Sequence, residues 1–278
     1  MTTFAKLRQL LKQSIGQVAP SRLPFSLTVQ KTEQLSPNMQ RVTLGGKAVA
    51  SFPNVAPGSY LKLLFDHQGQ PLQVLPQDGV RPLMRTYTIR HIDKKMKMVT
   101  LDMVLHSVDD CGPASRWAGR VKVGETILLQ GPGSIKPLPG GFDWVLFAGD
   151  MTALPAIAGY LEALPGTARG YAVIQVVDLG DVQPLKKPPN VKVQWVVGEG
   201  SEMMQRIRDL QWLKGKPAVW VACEFSLMRQ LRQEFRVHRQ VDHEQMYISS
   251  YWRIGRSEEQ HKEDKQRDQR AFNTQPSM

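Results

Sequence analysis

Residues 81–90 read RPLMRTYTIR, three arginines and a tyrosine in a segment otherwise built like a β-strand. Leu83, Tyr87 and Ile89, with Thr86 and Thr88, suit a pleated and half-buried surface, whereas arginine is rarely buried without a partner. Alternation sets Arg85, Tyr87 and Ile89 on one face and Thr86, Thr88 and Arg90 on the other. An anion must lie against such a strand, either carboxylates of the chain at a solvated sheet edge or a bound ligand. A second anion-binding pattern is GPASRWAGR (112–120). Gly112 followed by Pro113 opens a helix without wasting a backbone donor. The free N–H groups of Ala114 and Ser115, the Ser115 hydroxyl and Arg116 could then cradle a phosphate. The same stretch also reads as a plain amphipathic helix with Trp117 and Ala118 packed inward.

Three further stretches place polar residues where an apolar strand ends: WVLFAGDMTALPAI (144–157), VWVACEFSLMRQLR (219–232) and EQMYISSYWRIG (244–255). They present Gly149, Asp150 and Thr152, then Cys223, Glu224 and Ser226, then Tyr251 and Trp252. Open parallel sheets receive ligands at the carboxyl ends of their strands. Asp150, Thr152 and Ser226 also suit ordinary helix caps. No GxGxxG follows any strand, so the usual dinucleotide fingerprint is absent. The six histidines form no HxxxH or HExxH pair, and Cys111 and Cys223 form no CxxC, so no metal ligand set and no disulfide framework is expected.

The elements that must hold these residues fall into two grammars. FSLTVQKTEQ, MQRVTLGG, SYLKLLFD, RTYTIRHI, KMVTLDMVLH and ETILLQG recur with turn signals between them, the pattern of a small antiparallel barrel or sandwich over residues 22–131. A stiff proline- and glycine-rich linker, 132–141, follows. Residues 142–256 then alternate apolar strands with helical segments at 152–164, 201–213 and 225–240, which predicts βα units on a parallel sheet. Phe4, Leu7, Leu11 and Ile15 predict a helix within 1–21 that docks on the protein's own surface. The tail, 257–278, is polar all round, with Glu258 and Glu263 four residues before Lys262 and Arg267; it reads either as a solvated helix or as a segment folded back to cover the site.

Lys plus Arg number 36 and Asp plus Glu 25, a net charge of +11. Partners should therefore be anionic. A nucleic-acid-binding module would use such charge, but no helix-turn-helix, zinc finger or aromatic RNP-like strand set is present. No stretch reaches the ~18 apolar residues of a membrane span, and two isolated cysteines suit a reducing cytoplasm.

Taken in order, RxYTxR (Arg85, Tyr87, Thr88, Arg90), GPASRWA (112–118), GDxTALPAI from Gly149 and YWRxG (251–255) resemble the siderophore-interacting proteins. These are flavin-dependent ferric-siderophore reductases, a branch of the ferredoxin–NADP reductase-like superfamily. The resemblance covers about residues 22–256. It implies a Greek-key β-barrel that binds FAD, followed by a Rossmann-like α/β domain. It also implies a cofactor site of Arg85, Thr86, Tyr87, Thr88, His106, Gly112, Pro113, Ala114, Ser115, Asp150, Thr152, Ala153 and Trp252, with no catalytic side chain beyond electron transfer through FAD. The substrate would be a ferric siderophore, anionic if a catecholate, drawn to a basin of Lys47, Arg253, His261 and Lys262. The metal arrives chelated, so no protein ligand set is needed. Met151, where relatives carry an acidic residue, and Cys223, where they carry glycine, add bulk that should hinder a nicotinamide ring. A ferredoxin-like electron donor is therefore expected, with NAD(P)H as the alternative, acting on a monomer. A siderophore carrier without redox activity is the competing class.

Overall fold

The computed structural model describes residues 23–76, 79–106, 112–135, 137–198 and 200–273. The helix expected within 1–21, and Cys111, lie outside the described residues.

Six antiparallel strands form the first unit: β1 (Phe25–Ser36), β2 (Met39–Gly45), β3 (Tyr60–Phe65), β4 (Leu83–Asp93), β5 (Met98–Val104) and β6 (Thr126–Gly133). They close in the order β1-β2-β5-β4-β3-β6, a barrel and not a sandwich. Period-two patterning explains the closure: Leu27 and Val29, Val42 and Leu44, Leu61 and Leu63, Val99 and Leu101, Ile127 and Leu129 all bury inward. The short helix α1 (Pro113–Ala118) seals this core with Trp117, whose ring lies edge-on to Phe65 at 6.5 Å.

The second unit carries β7 (Trp144–Gly149), α2 (Leu154–Ala163), β8 (Gly170–Val176), β9 (Val191–Val197), α3 (Gly200–Arg208), β10 (Pro217–Glu224), α4 (Phe225–Gln233) and β11 (Met246–Trp252). Its strands run parallel in the order β11-β10-β7-β8-β9. All six residues of β7 are buried, because the sheet is covered on both faces. One face packs Phe147, Ile157 and Trp220 together with Met39 and Val104 of the barrel, so that core is shared between the units. The other holds Trp144, Leu146, Met203, Leu231 and Phe235. Gly149 is required by space: a Cβ there would come within 2.7 Å of both Ala153 Cβ and Ala222 O.

Two expected helices are shorter than their patterns. The segment predicted over 201–213 stops at Arg208, and Trp212 leaves the helix to pack edge-on against Trp144 at 4.7 Å. That predicted over 225–240 becomes a π turn at Glu234–His238, where buried Glu234 accepts from Arg208 and Arg239.

Side chains lock the two units together. Asp181, fully buried, accepts from Ser36 Oγ at 2.7 Å and from the backbone N–H and side-chain amide of Asn38 at 2.8 Å each. Burial alone would raise its pKa, but the bonds from Asn38 and Ser36 outweigh that and hold it below the usual carboxylate range. Arg90 of β4 grips Glu162 of α2 with two bonds.

A fifth helix, α5 (Glu258–Asn273), lies against the α/β unit instead of standing in solvent. His261, Asp264, Lys265, Asp268 and Phe272 recur at helical spacing and supply its docking contacts. Asp264 pairs with Arg253 and Arg256, and Asp268 with Arg229 and Arg232. The Phe272 ring carries the guanidinium of Arg232 at 4.2 Å and that of Arg236 at 4.5 Å. Of the two readings of the tail the docked one holds, because its anchors are spread over a whole helix face and meet arginines of the α/β unit.

Candidate active site

Strand β4 gathers three donors at one point. Arg85 Nη1 donates to Glu259 Oε1 at 2.8 Å and to Met84 O at 2.8 Å. The Thr86 N–H donates to Glu258 Oε2 at 3.1 Å, and its hydroxyl to Glu258 Oε1 at 2.8 Å. Both acids belong to the first turn of α5. Tyr87 packs on the barrel core. Burial pushes its phenol pKa up; the Glu258 charge adds to this and Arg85 opposes it. Thr88 is buried, and Arg90 is spent on Glu162 with Asp102 nearby at 3.8 Å. Each of these two strand arginines thus meets a carboxylate of the chain, while Arg85 and Thr86 form a cradle suited to any paired-oxygen anion.

The pairing of Ile89 with Leu101 directs the end of β5 back toward this cradle. There the backbone N–H of His106 donates to Ser115 Oγ at 2.9 Å, tying α1 to the strand end. Pro113 takes the first helical position after Gly112, as its chemistry favours. Ala114, Ser115, Trp117 and Ala118 are buried while Gly112 and Arg116 are exposed, so the packing helix and the open helix end coexist.

Asp150 is more structural than its place in the sequence indicates. Its carboxylate accepts from Thr152 N–H and Oγ1, from the Glu224 N–H at 3.0 Å and from Trp252 Nε1 at 2.7 Å. Burial raises its pKa against those bonds. It thereby ties the carboxyl ends of β7, β10 and β11 and fixes the Trp252 indole beside them. Ala153, fully buried, begins α2 beneath this tie. Met151 and Cys223 do not face the site: both are buried, one in each core of the sheet. The expectation that their bulk hinders a nicotinamide is overturned, because each points into packing; burial raises the Cys223 thiol pKa, with Asp150 and Glu224 adding to it.

Of the four expected basin residues, only Lys47 stands plainly exposed, opening a 3₁₀ turn after β2. Lys262 is half-exposed and pairs with Glu258 at 3.3 Å. Arg253 is neutralised by Asp264 and stacked on Phe225 at 4.7 Å. His261 is only 5% exposed, against Ser250 and the Phe225 ring. Burial and then Lys265 lower its pKa; Glu258 and Asp264 pull the other way, and Arg253 adds to the lowering. The expectation that His261 lines a cationic basin is therefore corrected, because Ser250 and the Phe225 ring enclose it.

The pH effect acts on docking instead. The docked histidine takes up a proton less readily than an undocked one, whose pKa is the ordinary ~6.5. Helix α5 should therefore hold firmly above that value and loosen as pH drops below it. Protease cleavage within 258–273 should accelerate between about pH 7.5 and 5.5, and a His261→Gln variant should lose most of that dependence. Equal acceleration in both proteins would refute the effect.

Comparison with known proteins decides the family. The model for the siderophore-interacting FAD-binding domain matches residues 28–135, and that for the siderophore-interacting protein matches 142–255. The chain belongs to the siderophore-interacting protein family. The structure of the siderophore-interacting protein SipS from Aeromonas hydrophila superposes with a TM-score of 0.79 at 32% identity, covering 90% of this chain and all of that one. Ferric vibriobactin reductase of Vibrio cholerae is 29% identical, over 92% of this chain and 97% of its own length. The NADPH-dependent ferric-chelate reductase of Escherichia coli is 25% identical, over 81% and 91%. A ferredoxin–NADP reductase of Plasmodium falciparum shares the fold, with a TM-score of 0.60, 15% identity and coverage of 82% and 96%.

As a member of this family the chain carries a siderophore-interacting FAD-binding domain, which makes FAD its cofactor. The cradle of Arg85 and Thr86 fits that cofactor, since it already collects carboxylate oxygens with one guanidinium, one N–H and one hydroxyl. Among the described residues no helix is long and apolar enough to cross a membrane. Sequence reasoning missed Glu258 and Glu259 as the acids that meet β4. Ser257 and Gln260 form a reciprocal capping box, so the helix start was readable, but its partner strand lies some 170 residues away.

Proposed function

We propose that this protein reduces ferric siderophores, releasing Fe(II), and takes its electrons from a ferredoxin-like protein. The observation that carries the reading is the three-donor cradle on the RTYT strand of a barrel of this family. Arg85 and Thr86 would hold the flavin phosphates, with the open helix end at Gly112, Pro113, Ala114 and Ser115 beside them and His106 fixing that end to β5. Tyr87 and Thr88 would line the ring. Asp150, with Thr152 and Ala153 behind it, would set Trp252 as the aromatic wall from the second unit. Bound FAD supplies the electron that the side chains cannot.

The residues do the remaining work. Lys47 offers positive charge to an anionic chelate, raising encounter rate and affinity. Reduction lowers the charge on iron, which weakens the grip of hard oxygen ligands, and release follows.

Support for a protein donor is the bulky Trp252 indole that Asp150 fixes at the carboxyl end of β11, the side of an open sheet that receives a nucleotide. The +11 charge suits an acidic carrier at an exposed flavin edge. The competing reading is NADPH, favoured by the dependence named for the Escherichia coli relative. The reaction is tested by mixing reduced protein with a ferric siderophore anaerobically in the presence of an Fe(II) chelator; lack of flavin reoxidation would defeat it.

A further inference from the structure

We infer that the acidic first turn of α5 is a latch that competes with the flavin phosphates, so that Glu258 and Glu259 must leave β4 for FAD to seat. The inference rests on the flavin reading of Arg85 and Thr86 given above. The Thr86 N–H has one hydrogen and so does its hydroxyl, and both are given to Glu258. Neither can serve a phosphate oxygen at the same time. Arg85 has donors to spare, but Glu259 brings a second negative charge to the same point, and like charges held this close oppose one another.

The arrangement allows release without unfolding. The anchors described above hold the rest of the helix on the α/β unit: Asp264 with Arg253 and Arg256, Lys265 with Ser249 and Ser250, Asp268 with Arg229 and Arg232, and Phe272 under Arg232 and Arg236. Just before it, Gly255 adopts φ of +68° with open space around it, and Ile254 is exposed, so the connection can turn. Glu258 also has Lys262 at 3.3 Å, which keeps it paired when it lets go of Thr86. The helix thus has a fixed body on one unit and a detachable end on the other.

The test uses full-length protein stripped of flavin. FAD is titrated by fluorescence quenching into the wild type, a Glu258→Gln/Glu259→Gln variant and a Glu263→Gln control that removes an exposed acid paired with Arg267. The double variant should bind FAD about five- to thirtyfold more tightly, the worth of two partly exposed charge contacts, while riboflavin, which has no phosphate, binds both proteins alike. The control should match the wild type. In the wild type itself, FAD should raise backbone hydrogen exchange over 256–260 and leave 261–272 protected, a result that does not depend on any variant folding. Unchanged or weaker FAD binding by the double variant, or added protection over 256–260, would overturn the latch and leave the flavin site standing. Failure of both proteins to bind FAD would overturn the flavin site and the latch together.

Discussion

Arg85→Ala should lower FAD affinity ten- to hundredfold. The guanidinium is largely buried, with only 16% of the side chain exposed, and is the one formal positive charge in the β4 cradle. Losing a charge-assisted pair to phosphate costs about 1.5 to 3 kcal/mol. The same change frees Glu259, but that carboxylate is 46% exposed and rehydrates cheaply, so the lost clamp outweighs the loosened latch. Arg85→Lys should fall between, since it keeps charge but not the planar fork. An Arg85→Ala protein that binds FAD with an unchanged dissociation constant would remove Arg85 from the site.

The electron donor should reveal itself through salt. If an acidic iron–sulfur protein is attracted by a surface of net charge +11, its second-order rate of flavin reduction should drop about tenfold or more between about 50 and 500 mM salt, as screening shortens the reach of the charges. NADPH at saturating concentration should show less than about a twofold change, because its binding is then complete. Stopped-flow reduction by ferredoxin, NADH and NADPH side by side separates them. Rapid, salt-insensitive reduction by NADPH with ferredoxin inert would reverse the donor assignment.

The barrel and the parallel sheet were legible because burial leaves a period in the sequence. Leu27 and Val29 or Leu61 and Leu63 alternate in a way only a half-buried strand requires, and the unbroken apolar run of β7 matches a strand covered on both sides. The RTYT strand was legible as an anion site because Arg85 cannot be buried alone. Its partner was not, since nothing local in SEEQ says which strand two helix-start acids will meet. Met151 and Cys223 were misjudged for a related reason: at a strand end, one step of register decides whether a side chain enters a core or a site, and both entered cores. In the tail, i,i+4 charge pairs suit a solvated face, yet Asp264 and Asp268 pair with Arg253 and Arg232 of the α/β unit. His261, counted as a cation, turned out to be part of that packing.

The most direct measurement is the oxidative half-reaction. Protein carrying one FAD per chain is reduced, then mixed without oxygen with a ferric siderophore and an Fe(II)-specific chelator, following flavin absorbance and the coloured Fe(II) complex together. Reduction of the chelate by this chain predicts recovery of oxidised flavin in step with Fe(II), two iron ions per fully reduced FAD. Purified protein without flavin, or reduced flavin that persists unchanged beside the ferric siderophore, would contradict it.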